Sequence, residues 1–250
     1  MPSAAPRATW RSRALAAATT VQTGTAATIG AMLVTHLAAP VVAAVAGPAA
    51  VDMANQTMLL GRVYYQHAFV EPVLVWGALS AHVIASLVRR ALLPGRQLRS
   101  PKHWTWRTWH NAAGLALVPV LLVHVLTNRL APASAHPAIA ELSPSELDLS
   151  YVAWGFAHAP RLSTVLYTWL CLTGAVHAVG GLPKMAERIG RPKRARPMMG
   201  AAFVVAGLLL LGTWRIARDG IAGLAQPMQA RFGASYRSVW PWSWGIASTM

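Results

Sequence analysis

Acidic residues and cysteine are scarce in this chain. Seven Asp and Glu stand against 22 Lys and Arg in 250 residues, and charged residues make up only 12%, about half the share of an ordinary soluble domain. So few charges exclude a soluble globular enzyme, and with it a disordered tail, a coiled coil or a collagen. The one cysteine, Cys171, falls inside an apolar run. Without a second thiol there is no intrachain disulfide, no CxxC redox pair and no thiolate zinc cluster. Internal repeats and a separate soluble domain are also missing.

What the chain has in quantity is apolar surface. Hydrophobic residues reach 55% and the mean hydropathy is +0.41. They gather in five runs, at about 22–46, 68–88, 110–127, 163–182 and 199–214, each near the ~20 residues that cross a bilayer as a helix. A lone strand would leave backbone polar groups unsatisfied in hydrocarbon, and a barrel would need an alternation that these runs lack. The expected fold is therefore all-α: a polytopic membrane protein with a five-helix transmembrane bundle over 21–217. A basic N-terminal tail, 1–20, precedes it and an interfacial C-terminal tail, 218–250, follows.

Five spans put the N-terminus and the 89–109 and 183–198 loops on one face. That face carries 15 bases: Arg7, Arg11, Arg13, Arg89, Arg90, Arg96, Arg99, Lys102, Arg107, Lys184, Arg188, Arg191, Lys193, Arg194 and Arg196. The other keeps seven: Arg62, Arg129, Arg161, Arg215, Arg218, Arg231 and Arg237. The asymmetry supports the span count and sets the N-terminus on the cytosol-like side. Because the bases act as topology determinants, no nucleic-acid partner is expected. Trp104, Trp106 and Trp109 before the third span, and Trp240, Trp242 and Trp244 near the C-terminus, read as headgroup anchors. The first twenty residues read as a basic flank or as a transit peptide. Ser143 and Glu146 fit the S-x-x-E capping pattern within the long connection 128–162.

Nine histidines are present, and four of them, His36, His82, His124 and His177, fall inside four different spans. An ionisable side chain at membrane depth is costly and marks a functional site. Successive spans run in opposite directions, so residues late in the first and third spans share one level, and residues late in the second and fourth share the other. The depth argument pairs His36 with His124 and His82 with His177. Two facing imidazoles in an apolar slot suit the iron of a haem b, with propionates reaching bases at the interface. Two haems with His36, His124, His82 and His177 as axial ligands are one expectation; interhelical hydrogen bonds are the plainer one. Zinc is less apt, since neither level offers a third or fourth ligand. His67 and His110 at helix mouths, and His103, His136 and His158 in loops, are assigned to interfacial water. Glu71-Pro72 reads as an interfacial carboxylate near Arg62, or as a proton or quinone group.

Two families resemble these residues. Thr23-Gly24 with His36 later in the same run, and His110-x3-Gly114-Leu115 running on to His124, resemble the five-helix dihaem cytochrome b of fumarate reductase and succinate dehydrogenase. There the first and third helices ligate one haem and the second and fourth the other. A wider resemblance, over about residues 20–245, rests on Arg62-x-x-Tyr65-Gln66 leading to Glu71-Pro72, on Glu146-Leu147-Asp148-Leu149-Ser150-Tyr151-Val152, and on Arg231-Phe232-x-x-Ser235-Tyr236. These segments look like the fungal mitochondrial adapter proteins that complement defects in mitochondrial distribution and lipid supply. That resemblance implies a five-span protein of the mitochondrial outer membrane, acting in lipid homeostasis and not itself an enzyme. Membrane lipids are its implied partners, together with a bridge-like lipid-transfer protein at organelle contact sites. The family recruits that protein through a Pro-x-Pro motif, and none of the 17 prolines here lies two residues from another. The alternative function is an electron-transfer dihaem cytochrome b anchoring a quinone-linked oxidoreductase. A lipid scramblase or channel would want a polar groove along one helix face, and the histidines aside the spans are too apolar to suggest one.

Overall fold

The computed structural model describes residues 9–93, 105–188, 190, 198–221 and 223–239. The expectations for Arg7, Arg96, Arg99, Lys102, His103, Trp104, Arg191, Lys193, Arg194, Arg196, Trp240, Trp242 and Trp244 lie outside the described residues. The described residues form eight α-helices: α1 (Trp10–Val45), α2 (Ala50–Tyr65), α3 (Ala78–Leu92), α4 (Trp106–Val125), α5 (Leu149–His158), α6 (Pro160–Arg188), α7 (Met198–Asp219) and α8 (Gln226–Val239). Two π-helical segments complete the spans, Glu71–Gly77 leading into α3 and Leu126–Leu130 extending α4. No strand occurs among the described residues.

Five of these helices are long and apolar enough to cross a bilayer: Trp10–Val45, Glu71–Leu92, Trp106–Leu130, Pro160–Arg188 and Met198–Asp219. The all-α, five-span polytopic architecture is that expected from the sequence. The first helix starts at Trp10 instead of near residue 22, so most of the expected N-terminal tail is helical. Residues such as Ala14, Ala16, Ala17 and Ala18 favour a helix without adding a hydropathy edge, so the boundary was invisible to an apolar count. At 36 residues α1 is about 54 Å long, well beyond the ~30 Å hydrocarbon layer.

The chain divides into two compact units. The first comprises 1–35 and 63–103, the second 36–62 and 104–250. In the first, α1 and α3 share a polar seam. Gln22 Nε2 donates to Ser86 Oγ (2.6 Å), Arg89 Nη1 donates to Gln22 Oε1 (2.5 Å), and Thr25 Oγ1 meets His82 Nδ1 at 3.2 Å. Arg11 Nη2 reaches the Leu92 carbonyl at the end of α3 (3.0 Å).

In the second unit, α7 comes so close to the end of α1 that a Cβ on Gly212 would lie 1.8 Å from the Pro40 carbonyl oxygen. Only glycine allows that approach. Arg215, one turn further along α7, donates from Nη1 to Ala43 O (3.2 Å) and Ala46 O (2.9 Å). It thereby satisfies carbonyls that the end of α1 leaves open. Ala39, Ala43, Ala54, Met58, Leu149 and Ile216 pack into a small core around this contact.

The long connection and the described part of the C-terminal tail build a packed cap. Ile139, Leu142, Leu147, Tyr151, Trp154, Phe232 and Tyr236 form its core, drawn from the 131–148 loop, α5 and α8. The S-x-x-E pair makes its reciprocal bonds. Glu146 Oε2 accepts from Ser143 N (2.9 Å) and Ser143 Oγ (2.7 Å), and Ser143 Oγ accepts from Glu146 N (3.3 Å). This box closes a turn and not the helix itself. The N-cap of α5 is Asp148, which accepts from Ser150 N at 2.8 Å.

Candidate functional site

His36 and His124 come together within the second unit, from α1 and α4. Their ring centroids are 6.0 Å apart and their planes cross at 79°. Both stand beside a break in regular winding. Pro40, four residues after His36, has no N–H for the His36 carbonyl, and the π-helical segment Leu126–Leu130 begins two residues after His124. Such π-turns are often found at functional sites. The π-turn brings Asn128 back over His124, with Asn128 Nδ2 3.0 Å from His124 O and 3.3 Å from His124 Nδ1. Tyr167 of α6 donates its hydroxyl to Asn128 Oδ1 (3.0 Å), and its ring stands edge-on to His124 at 5.9 Å. Asn128 and Tyr167 escape a reading of the sequence because neither is ionised at neutral pH; the signal that finds them is their distance in the fold.

The other two expected ligands fall in different units. His82 belongs to the first, where it meets Thr25. His177 belongs to the second, where it pairs with His110, a residue assigned above to interfacial water. The two rings stack at 4.4 Å, only 9° from parallel. Each Nδ1 donates to the other residue's backbone, His110 Nδ1 to His177 O (2.8 Å) and His177 Nδ1 to His110 O (3.1 Å). A glycine one turn beyond each histidine makes room for the other ring. A Cβ on Gly114 would come within 2.5 Å of His177, and one on Gly180 within 2.9 Å of His110.

These contacts test the expected haem sites. An axial imidazole gives one nitrogen to iron and usually donates its other N–H to an acceptor. At His124 the polarity is reversed. The Asn128 amide is oriented by the His124 carbonyl, which can only accept, so its NH₂ also faces Nδ1 and the ring carries its hydrogen on Nε2. At His177, by contrast, Nδ1 donates to the His110 carbonyl as an axial ligand's would, while His110 stacks on one face of the ring. As placed, His124 does not present the hydrogen-bonding polarity of an axial ligand. No cluster of three or more His, Cys, Asp or Glu able to hold a metal ion occurs among the described residues.

A second candidate site is the cap, where residues of all three family-like segments meet. Arg62 donates to Pro144 O (3.0 Å) and to Leu147 O. Arg231 grips the loop at three points: Nε to Ile139 O (2.8 Å), Nη2 to Ala140 O (3.1 Å) and Nη1 to Glu146 Oε1 (2.5 Å). Ala140 and Glu141 are left-handed, with φ of 56° and 47°, a costly conformation for side-chain-bearing residues. Arg231 holds that strained turn in place. The Arg231 guanidinium, helped by the bonds from Ser143, draws the Glu146 carboxyl down to about 2.

Tyr151 centres the cap. Its hydroxyl donates to Thr127 O (2.8 Å) and meets Ser235 Oγ (2.9 Å), while Phe232 stands edge-on to its ring at 4.9 Å. Tyr236 OH reaches the Tyr151 carbonyl at 3.3 Å, and a Cβ on Gly155 would strike that hydroxyl at 2.1 Å. Burial pushes both phenols above their ordinary range. The cap is an aromatic core built around Tyr151 from the 131–148 loop, α5 and α8.

Among curated proteins and among solved structures, none matches this chain. A protein-family model does match, and of the three segments quoted for the mitochondrial adapter family it contains Glu146–Val152, while Arg62–Pro72 and Arg231–Tyr236 lie outside it. Residues 119–223, the stretch from within α4 to just beyond α7, match the family model described as MDM10-complementing protein 1, transmembrane domain.

Proposed function

We propose that this multi-pass membrane protein resides in a mitochondrial membrane, the outer one, and acts there in lipid homeostasis as an adapter and not as an enzyme. The observation that carries the reading is the family match over residues 119–223. The packed cap supports it, because Arg62, Glu146, Tyr151 and Arg231 are used to build a rigid face beside the spans and not to assemble a reaction centre. The Pro-x-Pro route to a lipid-transfer partner is absent from the sequence, so any such partner would be engaged through the cap or the basic loops. The test is expression of the chain in fungal cells lacking their own family member. Co-fractionation with outer-membrane markers and a restored mitochondrial phospholipid profile are expected. Residence in another membrane with an unaltered profile would overturn the reading.

A second reading, an electron-transfer cytochrome b, has one observation in its favour, the meeting of His36 and His124 from alternate spans. The Asn128 amide on His124 stands against it. A dithionite-reduced visible spectrum separates the two readings.

A further inference from the structure

The first unit contains a concave groove that none of the assigned roles uses. One wall is a single face of α1, with Thr28, Ala31, Met32 and Thr35 at the spacing of i, i+3, i+4 and i+7. The facing wall is the entry of the second span, where Val70, Leu74 and Val75 are set by the π-helical winding of Glu71–Gly77. Tyr64 and Tyr65, at the end of α2, complete the lining. The cavity measures about 310 Å³, room for roughly ten groups the size of a water molecule.

The polar atoms of its α1 wall are already committed. Thr28 Oγ1 donates to Gly24 O (3.3 Å) and Thr35 Oγ1 to Met32 O (2.8 Å), both within α1. What the groove presents is therefore methyl and methylene surface, with no hydrogen-bonding group left over on the helical wall to select a polar ligand. Thr28 to Thr35 lie in the body of the first apolar span, at a depth where water is absent and lipid tails are the solvent. The tyrosine pair sits where the chain enters the second span, and amphipathic rings favour the headgroup layer. The groove thus runs from an interface inward, as a lipid tail does from its headgroup.

We propose that this groove is a binding site for one acyl chain of a phospholipid, held along Met32, Leu74 and Val75 with its glycerol end at Tyr64 and Tyr65. The site rests on the five-span architecture and stands independently of the mitochondrial and lipid-homeostasis reading. A held tail differs from the annular lipid around any span, since it contacts two walls at once and exchanges more slowly.

The test uses the full chain reconstituted in phosphatidylcholine vesicles doped with a phosphatidylcholine carrying a diazirine in its tail. After illumination, labelled positions are mapped by mass spectrometry. Met32, Leu74 and Val75 should be labelled several-fold more than Phe203 and Val204, which are exposed on α7 and do not line this groove. Ala31→Trp fills the groove from α1 and Leu74→Trp from the facing wall. Either variant, if it keeps its helical circular dichroism, should remove the excess at Met32 and leave Phe203 unchanged. Equal labelling at Met32 and Phe203 would overturn the proposal. So would an excess at Met32 that survives both tryptophans, or preferential labelling of these residues by a diazirine sterol, which would reassign the groove to a rigid lipid.

Discussion

The ring of His177 occupies the volume that a side chain on Gly114 would need, with its Cε1 and Nδ1 both 2.5 Å from where a Cβ would stand. The relation is mutual, since His110 stands against Gly180 in the same way. Gly114→Ala should therefore force α4 and α6 apart and cost about 1–3 kcal/mol, the usual range for overpacking. Cys171 offers the readout, being the single cysteine and buried. A thiol-reactive dye followed through heating in detergent should report a lower midpoint for the variant. In a His177→Ala background the same glycine substitution should cost much less, and equal losses in the two backgrounds would show that the ring is not what fills the space.

This pair also shows where reading the sequence fell short. Residues late in alternate spans share a level, and His36 and His124 do meet. By its place in the sequence His110 reads as a mouth residue. In antiparallel neighbours, however, an early residue of one helix lies level with a later residue of the next, so His110 near the start of α4 is level with His177 in the second half of α6. Depth alone could not decide among partners, because glycines at Gly114 and Gly180 fix which helices come close enough to stack two imidazoles.

Acid should loosen the cap through Glu146. Arg231 holds its carboxyl in the charged form, lowering its pKa from 4.5 to about 2. The unfolded chain therefore takes up this proton first as pH falls. The stabilisation is complete above pH 4.5 and is lost progressively toward pH 2. Thermal midpoints measured across that window should fall with pH more steeply in the wild type than in Glu146→Gln, which has no carboxylate to lose. Parallel curves would show that the Arg231 pair does not couple to folding.

The purified chain, expressed with ample haem precursor, should show no sharp α band on reduction with dithionite. The reason is local. Asn128 presents an amide N–H to His124 Nδ1, where an iron-bound imidazole would carry its own hydrogen. Asn128→Leu removes that amide and leaves the His124 carbonyl and the Tyr167 hydroxyl without it. A loss of about 1–3 kcal/mol in stability is expected, again with no band. A band in the wild type that vanishes in both His36→Ala and His124→Ala would restore the cytochrome reading and mean that the amide turns over.

The five spans were legible because a bilayer imposes one length on every helix that crosses it, and a run such as 199–214 states that length directly. The cap was not. Its core residues, from Ile139 to Tyr236, are separated by a whole transmembrane hairpin, so no periodicity in either segment announces the other. The family-like segments marked the right residues without saying that Arg231, Glu146 and Tyr151 touch. Even the seven bases of the less basic face had a second meaning. Arg62, Arg215 and Arg231 are bound to backbone carbonyls, so they are structural and weaken that face's share of the topology signal further.

Arg215 gives the last of these arginines a measurable role. Its guanidinium spans two carbonyls, Ala43 O and Ala46 O, beside the point where Gly212 meets Pro40. Arg215→Ala leaves both oxygens without that donor and removes a positive charge from the negative end of the α1 dipole. A loss of about 1.5–3 kcal/mol is expected, as for a hydrogen bond to a charged group. Arg215→Lys keeps the charge but offers a point donor in place of a planar fork, so it should recover only part. The Cys171 dye midpoint orders the three proteins as wild type, lysine, alanine. If lysine matched the wild type, charge at the helix end would be the whole contribution; if it matched alanine, the fork that reaches both carbonyls would be.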